Sequence, residues 1–314
     1  MTPLLLIQQA IRQRVRRKAT SAEQQAIDRI ARRLEPQLRK RFLAAVQASK
    51  DIIDLEALAR AIQSGSVSQA SLAMRMGEWS DKYGALATDL KVGFLAGGEI
   101  AYEVLDGAKF KLRFDLINSY AVNYASRKLP ILVDYYKRDA LTNIRGIITQ
   151  AMEGKYTSQT AAKAIRDSIG LTERQEKAVE HYRGSLIADG ITGGRLDGKV
   201  EWYGAKLLRA RAKTISRTEI IQAQVAGQRA LWEAAALEGL FDRHTAKRVW
   251  DTHDDERTCT RCREMDGQEI PYNGVYTHTA ENDEDSLGSV NVFGEILNGP
   301  PLHPNCRCSE ELVT

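Results

Sequence analysis

The sequence predicts a mainly α-helical fold, in which a multi-helix N-terminal body is followed by a small α+β module at the C-terminal end that carries a cluster of Cys and His residues. Two observations support this prediction. Over roughly the first 240 residues, apolar side chains recur at three- and four-residue intervals, which is the period of one helix face. Beyond that point the chain becomes polar and Gly-rich and contains all four cysteines, so its structure there is expected to depend on short strands and loops.

The N-terminal body is predicted as helices joined by short turns. A long helix begins at Ser21, a plausible N-cap, is kinked or interrupted at Pro36, and ends at Ser64-Gly65-Ser66. Asp106-Gly107 predicts a turn, and residues 110–114 alternate apolar and basic side chains, as a short extended segment does. The other predicted helices cover residues 67–105, with a weak point at Gly97-Gly98, and residues 116–128, 130–152, 157–169 and 172–187.

The second half of the chain predicts a loop, a long helix and a small module. Residues 188–199 contain four glycines and form the predicted loop, and residues 205–240 read as one helix. Asp266-Gly267, at the centre of residues 263–270, predicts a β-hairpin turn. Strands are predicted at 248–250 and 308–313, with an exposed loop at 276–301. The predicted regions are 1–105, 106–199 and 200–314.

The cysteines lie in two clusters whose spacing suits a metal ion. Cys259 and Cys262 form a CxxC, which brings two thiolates together from one tight turn, and the tail supplies three further donors in the sequence HPNCRC. A tetrahedral zinc site is the natural interpretation, with five candidates for four places. The candidate ligands are Cys259, Cys262, His303, Cys306 and Cys308. Because the module is small and loop-rich, such a site would stabilise it.

Two alternatives to zinc remain open from the residues alone. The four thiols can pair as two disulfides, or they can be unliganded core residues. Residues 1–7 are a short apolar run followed at once by basic residues, unlike a secretory signal, so we expect a reducing compartment, which disfavours disulfides. The longest apolar runs are shorter than the roughly 18 residues that cross a bilayer.

Charge is distributed unevenly along the chain, although the net charge is only +4. Residues 1–41 hold eleven Lys or Arg against three acidic residues, whereas residues 242–314 hold fifteen Asp or Glu against seven Lys or Arg. A basic segment of this kind is either the solvated face of a helix or a contact surface for nucleic acid or an acidic protein. The candidate contact residues are Arg12, Arg14, Arg16, Arg17 and Lys18, with Arg209, Arg211, Lys213 and Arg217 on the long helix.

The C-terminal third resembles the Mu F-like phage head morphogenesis family. The motifs occur in the family's order: a basic helix with Arg217-Thr218-Glu219 and Gly227, a strand with Trp250, the CxxC, a Met265-Asp266-Gly267 turn, and the terminal HPNCRC. Each short cysteine motif alone is weakly specific, but together with the helix and the turn they are strong. The resemblance covers roughly residues 115–314, and residues 1–105 carry no motif that we assign.

The resemblance implies a low-copy minor head protein of a tailed phage. Such a protein is added during head assembly in the host cytoplasm, is located in the virion near the portal vertex, and contacts the portal protein together with major capsid or scaffolding protein. It is also expected to contact or travel with packaged DNA. Neither a membrane nor a small-molecule substrate is implied as a partner.

Two other classes of function remain open, a nuclease or toxin-like zinc enzyme and a plain DNA-binding adaptor. A hydrolytic zinc site needs three protein ligands and an open position for water, whereas the sequence offers more donors than that. HExxH, a P-loop and a dinucleotide fingerprint are absent from the sequence. His253 beside Asp254, Asp255 and Glu256, and the acidic residues 281–285, are the remaining candidates for an acid-base or hard-metal site. We therefore expect a structural protein and not an enzyme.

Overall fold

The structure, a computed structural model, describes residues 21–105, 115–253, 255–278 and 298–314, with the backbone alone at 115–118. It is mainly helical with one small antiparallel sheet, which confirms the predicted fold class. Within the described residues, none of the helices is both long and apolar enough to span a membrane. The helices are α1 (Ala22–Asp51), α2 (Leu55–Gln63), α3 (Val67–Ala73), α4 (Trp79–Tyr83), α5 (Leu86–Val104), α6 (Asp115–Met152), α7 (Ser158–Ser168), α8 (Glu173–Ala188), α9 (Gly193–Leu237) and α10 (Thr260–Met265).

Three strands form the sheet: β1 (Lys247–Asp251), β2 (Glu269–Pro271) and β3 (Ser309–Val313). Strand β1 is central and pairs antiparallel with both neighbours, in the order β2-β1-β3. The predicted strands at 248–250 and 308–313 are therefore present. The predicted hairpin is different, because the arm before Asp266-Gly267 is helix α10 and the turn leads from that helix into β2. The CxxC thus lies at the start of a helix.

The helix boundaries differ from the prediction where side chains cap or interrupt the backbone. The first long helix ends at Asp51, because Asp54 takes an extended conformation and its side chain accepts a hydrogen bond from Ala57 N at 2.8 Å, which starts α2. Arg75, at φ 51°, separates α3 from the next helical turn. The predicted turn at 106–107, the extended segment 110–114 and most of the predicted loop 276–301 lie outside the described residues.

Elsewhere helices continue through residues that were expected to end them. Helix α6 includes Pro130, and α9 begins at Gly193, inside the predicted loop. Burial explains both cases, since Leu132, Val133 and Leu196 are almost fully buried and packing outweighs weak helix propensity. The predicted helices 157–169 and 172–187 correspond closely to α7 and α8, which Thr157 and Thr172 cap.

The described residues form two compact units that are each discontinuous in sequence. Unit 1 contains the described parts of Met1–Leu34, Leu90–Val122 and Arg217–Thr314, and unit 2 contains Glu35–Asp89 and Asn123–Ser216. Unit 2 has an aromatic core of Phe42, Tyr83 and Tyr136, whose ring centroids lie 5.2 to 6.1 Å apart. The predicted division into three consecutive regions remains a prediction.

Unit 1 holds the sheet against the first turn of α1. Ser21 donates a hydrogen bond from its hydroxyl to the Asp251 carboxylate at 2.6 Å, and the Gln24 side-chain amide donates to the carbonyl of Arg307 at 3.1 Å. In the core of the module, Trp250 packs edge-on against Tyr276 at a centroid distance of 5.1 Å. These contacts fix β1 and the segment before β3, which carry or border the cysteine cluster.

Candidate metal centre

Helix α10 positions the first two cysteines. Cys259 is the N-cap of this helix, in an extended conformation, and its sulfur accepts a hydrogen bond from the backbone N–H of Cys262 at 3.5 Å. The cap directs the Cys259 sulfur towards the same side as the Cys262 sulfur, one turn later. The CxxC spacing therefore delivers two thiols to one point at the start of a helix.

The other three donors come from a turn that precedes β3. The backbone N–H of Cys306 donates to the carbonyl of His303 at 3.1 Å, and Asn305 takes a left-handed conformation at φ 62°. The hydroxyl of Thr218, on α9, accepts a hydrogen bond from the backbone N–H of Asn305 at 3.0 Å. Thr218 belongs to the Arg-Thr-Glu motif, so one role of that motif is to hold this turn in place. Its role could not be assigned from sequence spacing.

The donor atoms lie close together, and the spacing of two of the sulfurs suits a tetrahedral metal. The His303 Nε2 atom lies 3.1 Å from the sulfur of Cys259 and 3.1 Å from that of Cys262. The sulfurs of Cys262 and Cys306 are 3.8 Å apart. In a tetrahedral zinc site with Zn–S bonds of about 2.3 Å, two sulfurs are separated by about 3.8 Å. The observed spacing therefore fits two thiolate ligands of one ion.

All five donors belong to two overlapping groups that share Cys262. Cys259, Cys262 and His303 form one group, and Cys262, Cys306 and Cys308 form the other, and within each group the donor atoms lie within 4.8 Å of one another. The chain thus brings together both sequence clusters, which lie more than forty residues apart.

The imidazole of His303 is oriented as a metal-binding histidine is. Its Nδ1 lies 2.8 Å from the carbonyl of Pro304, and because a carbonyl oxygen only accepts, Nδ1 carries the proton of the neutral ring. The lone pair of Nε2 is then directed towards the two cysteines of α10. A backbone carbonyl that fixes the tautomer in this way is a common partner of a metal-bound histidine.

Burial sets the electrostatics of the cluster. Three of its cysteines, Cys262, Cys306 and Cys308, are at most 4% exposed and pack with apolar core residues, whereas Cys259 lies at the surface. Hydrogen bonding with Cys306 and burial raise the pKa of the Cys262 thiol, and burial raises that of Cys308. At Cys306 the burial, which alone would raise the pKa, is outweighed by hydrogen bonds with the thiols of Cys262 and Cys308, so its pKa is lowered. Several thiolates in this position require a compensating cation, so the donor set fits a divalent metal.

Disulfide bonds are not formed by these residues. All four cysteines are free, and the Cys262–Cys306 sulfur separation of 3.8 Å is nearly twice a disulfide bond length of about 2.05 Å. Of the alternatives left open by the sequence, the geometry is compatible with a metal site or with packed free thiols.

Comparison with known proteins assigns the chain to a family. The family model described as Phage Mu protein F like protein matches residues 142–311, which is more than half of the chain. The chain belongs to the phage Mu F-like family. The resemblance to the Mu F-like head morphogenesis proteins is thus confirmed, and the matched span runs from within α6 to β3 and includes all five donors. No match was found among curated proteins or among solved structures.

Two other histidines of this Mu F-like chain, the half-buried His253 and the buried His278, belong to neither donor group. His278 is 1% exposed, and its Nε2 lies 3.3 Å from a carboxylate oxygen of Glu264. Burial lowers the pKa of His253. The neighbouring Asp255 pairs with Arg307 and Arg257, and the Arg307 hydrogen bond lowers its pKa well below the usual range. Asp255 is therefore a structural anion, and Asp254 and residues 281–285 lie outside the described part of the chain.

The basic residues that were candidates for contacts with partners separate into two kinds. Arg211 is buried in unit 2 and pairs with Asp139, while Arg217 pairs with Asp28 at 2.6 Å within unit 1. Both guanidinium groups therefore form ion pairs within their own units. Arg209 and Lys213 are exposed on α9. The basic residues between Arg12 and Lys18 lie outside the described residues.

Proposed function

We propose that this Mu F-like protein is a minor head protein of a tailed phage, a structural and assembly factor located in the virion near the portal vertex and present in the host cytoplasm during assembly. The family match carries this proposal, because it covers the end of α6, the long helix α9 and the cysteine-bearing module as far as residue 311. The helical body supplies docking surfaces, and the C-terminal module is a small fold stabilised by metal.

We further propose that Cys259, Cys262 and Cys306 bind one zinc ion, with His303 or Cys308 as the fourth ligand. When bound, zinc supplies a cross-link between the start of α10 and the turn before β3. The sulfur-rich donor set supports a structural role, because a hydrolytic zinc site keeps one position open for water.

The metal proposal is tested by metal analysis of the purified full-length protein. We expect about one zinc per chain, and loss of that zinc in Cys262→Ser, because this thiol belongs to both donor groups. His303→Ala and Cys308→Ser distinguish the fourth ligand, since the variant that removes a true ligand lowers zinc affinity more. His278→Gln is the matched control and should retain zinc. Wild-type protein purified without bound metal, and unable to take up zinc after reduction, would contradict the proposal.

The location in the virion is tested by co-expression with the portal, scaffolding and major capsid proteins of the same phage. We expect the protein to co-purify with the portal and to be present in assembled heads at a copy number far below that of the capsid protein. Heads assembled without the portal should lack it. Incorporation in equal amounts with and without portal would place the protein elsewhere in the particle.

A further inference from the structure

One face of α9 within unit 2 carries a regular row of five basic side chains and one tryptophan. The row begins near the start of the helix and continues for five helical turns, at alternating intervals of four and three residues. We call this row the basic stripe. Its members are Arg195, Lys199, Trp202, Lys206, Arg209 and Lys213.

The helical period puts all six side chains on one line. At 3.6 residues per turn, their directions fall within about 40° on either side of a common axis, and the row is about 27 Å long. The nearby acidic residues Asp197 and Glu201 point more than about 100° away from it. Both line a cavity of about 820 Å³ in unit 2, on another side of the helix. The stripe therefore carries charges of one sign only.

Five of the six stripe side chains are exposed and Lys199 is half-buried, and the positive charges of the stripe are not neutralised by ion pairs within the part of the chain that the structure describes. Trp202 is 57% exposed, and Lys206 lies over its ring at 5.6 Å from the centroid. Among the described residues, no ion pair involves the five cations of the stripe. Arg211 provides the contrast, because it lies on the buried side of the same helix and pairs with Asp139. Charges that stabilise unit 2 are thus distinct from charges that face solvent.

We propose that the basic stripe binds the phosphate backbone of double-stranded DNA without reading its sequence. Duplex DNA carries one negative charge per about 1.7 Å of its axis, so a straight row of cations meets many phosphates and releases their counterions. The stripe is a convex helix face with a single apolar residue, whereas the core of a protein interface is depleted of charge and enriched in apolar side chains. These features favour DNA over an acidic protein partner.

The inference refines the proposed function by naming which surface of the head protein contacts packaged DNA. Only the identification of the bound DNA as packaged phage DNA rests on the proposed function. The binding itself depends on the exposed face of α9 and involves none of the zinc ligands. Each proposal can therefore be tested independently, and the failure of one does not decide the other.

The direct test is the salt dependence of binding to a short duplex of mixed sequence, followed by fluorescence anisotropy of labelled DNA. If all five cations contact phosphates, the plot of log affinity against log salt concentration should fall with a slope no steeper than about −4.5. Lys206→Gln/Arg209→Gln should bind more weakly and reduce the slope by about 1.8. The matched control, Arg60→Gln/Arg145→Gln, removes two exposed charges of unit 2 that lie on other helices. It should leave the slope unchanged.

Trp202 provides a second, local readout. The other three tryptophans, Trp79, Trp232 and Trp250, are at most 1% exposed, so acrylamide quenching of the native protein reports mainly on Trp202. Saturating duplex DNA at low salt should protect the fluorescence from acrylamide, and high salt should restore quenching. Trp202→Phe should abolish the quenchable fraction and keep DNA binding.

Three results would overturn the inference. The first is absence of duplex binding at low salt by protein that has a normal melting curve. The second is equal weakening by the stripe variant and the control variant. The third is protection of Trp202 by poly-glutamate or by anionic vesicles but not by DNA, which would assign the stripe to an acidic protein or to a lipid surface.

Discussion

Glu310 is a fully buried carboxylate that receives hydrogen bonds from two arginines. Arg229 donates to it through two nitrogens at 2.6 and 2.7 Å, and Arg248, which is 3% exposed, donates at 3.0 Å. Arg248 also donates to the backbone carbonyls of Tyr272 and Asn298. One carboxylate thus holds β3, β1 and α9 together in unit 1.

Replacing this carboxylate should leave two partly or fully buried cations without their anionic partner, although Arg248 keeps its hydrogen bonds to backbone carbonyls. We expect Glu310→Ala to lower the free energy of unfolding by roughly 3–5 kcal/mol, as is typical when one side of a buried ion pair is removed. Urea unfolding of the zinc-loaded protein measures the change. Glu256→Ala removes an exposed carboxylate of the same module and should change stability by less than about 0.5 kcal/mol. Similar losses in the two variants would show that the Glu310 network is not a stabilising element.

Two further carboxyl groups, those of Glu23 and Asp251, make unit 1 sensitive to pH. Burial, with added repulsion from Glu311, raises the pKa of Glu23 from 4.5 to about 8, and burial raises that of Asp251 to about 6. The folded protein therefore retains protons that the unfolded chain has released. Because stability falls with pH wherever the native state binds more protons, unit 1 should lose stability from pH about 4.5 to about 8 and then level off.

Glu23→Gln removes the proton linkage and keeps an oxygen that accepts from Gln228. Its melting temperature should exceed that of the wild type at pH about 9 and differ little at pH about 4, where Glu23 is protonated in both states. Thermal melts across this range give the comparison. Glu238→Gln, at an exposed site, should follow the wild-type profile. A wild-type advantage at alkaline pH would refute this explanation.

At the residue scale, sequence spacing predicted which side chains meet but not which are buried. The spacing within CxxC and within HPNCRC indicated which donors lie together inside each motif, because spacing is informative over a few residues, whereas the fold of the module brings the two motifs together. Arg209 and Arg211 look equivalent in the sequence, yet two residues correspond to about 200° on a helix, so one is exposed and the other pairs with Asp139. Which of the two arginines is buried depends on which face of α9 packs against the rest of unit 2.

At the scale of elements, α5 and α9 cross with their backbones in contact. A Cβ atom added to Gly227 would lie 1.8 Å from the carbonyl oxygen of Phe94, and one added to Gly97 would lie 1.9 Å from that of Gln224. Only glycine fits at these positions, which gives a physical reason for Gly227 within the family motif. It also explains why Gly97 does not break α5, as its sequence suggested, since it is where the two helices pack.

Gly227→Ala should force the two helices apart and lower the free energy of unfolding by at least about 1–3 kcal/mol, the usual cost of overpacking. Gly198→Ala is the control on the same helix, because no atom lies within 4 Å of its added Cβ. It should stabilise the protein by up to about 1 kcal/mol through helix propensity. Chemical denaturation of both variants tests the pair, and equal effects would argue against close packing at Gly227.

The other differences at this scale arise from tertiary packing. Periodicity predicted the helical stretches correctly, but it cannot show that Pro130 lies inside α6 or that α9 begins within a Gly-rich segment. The helix that replaces the first arm of the predicted hairpin depends on Cys259 as its cap, a use of cysteine that the turn signal at Asp266-Gly267 does not reveal. Local signals predicted the types of element better than their ends.

At the scale of the whole molecule, the two compact units cannot be read from consecutive stretches of sequence. The four longest helices, α1, α5, α6 and α9, each contribute residues to both units. All five candidate ligands belong to unit 1, whereas the basic stripe belongs to unit 2. The proposed metal site and the proposed DNA-binding surface therefore belong to separate units, and each can be altered without changing the residues of the other.

This separation predicts a local response to metal removal. Because zinc would join the start of α10 to the turn before β3, chelation should increase hydrogen exchange in residues 247–278 and 298–313 and leave the helices of unit 2 at their original protection. Hydrogen-exchange mass spectrometry with and without chelator measures this, and added zinc should restore protection. Cys262→Ser should resemble the chelated protein, whereas Lys206→Gln/Arg209→Gln should exchange as the wild type does. A uniform rise in exchange across both units would mean that the metal stabilises the whole chain, and an unchanged pattern would mean that the thiols pack without it.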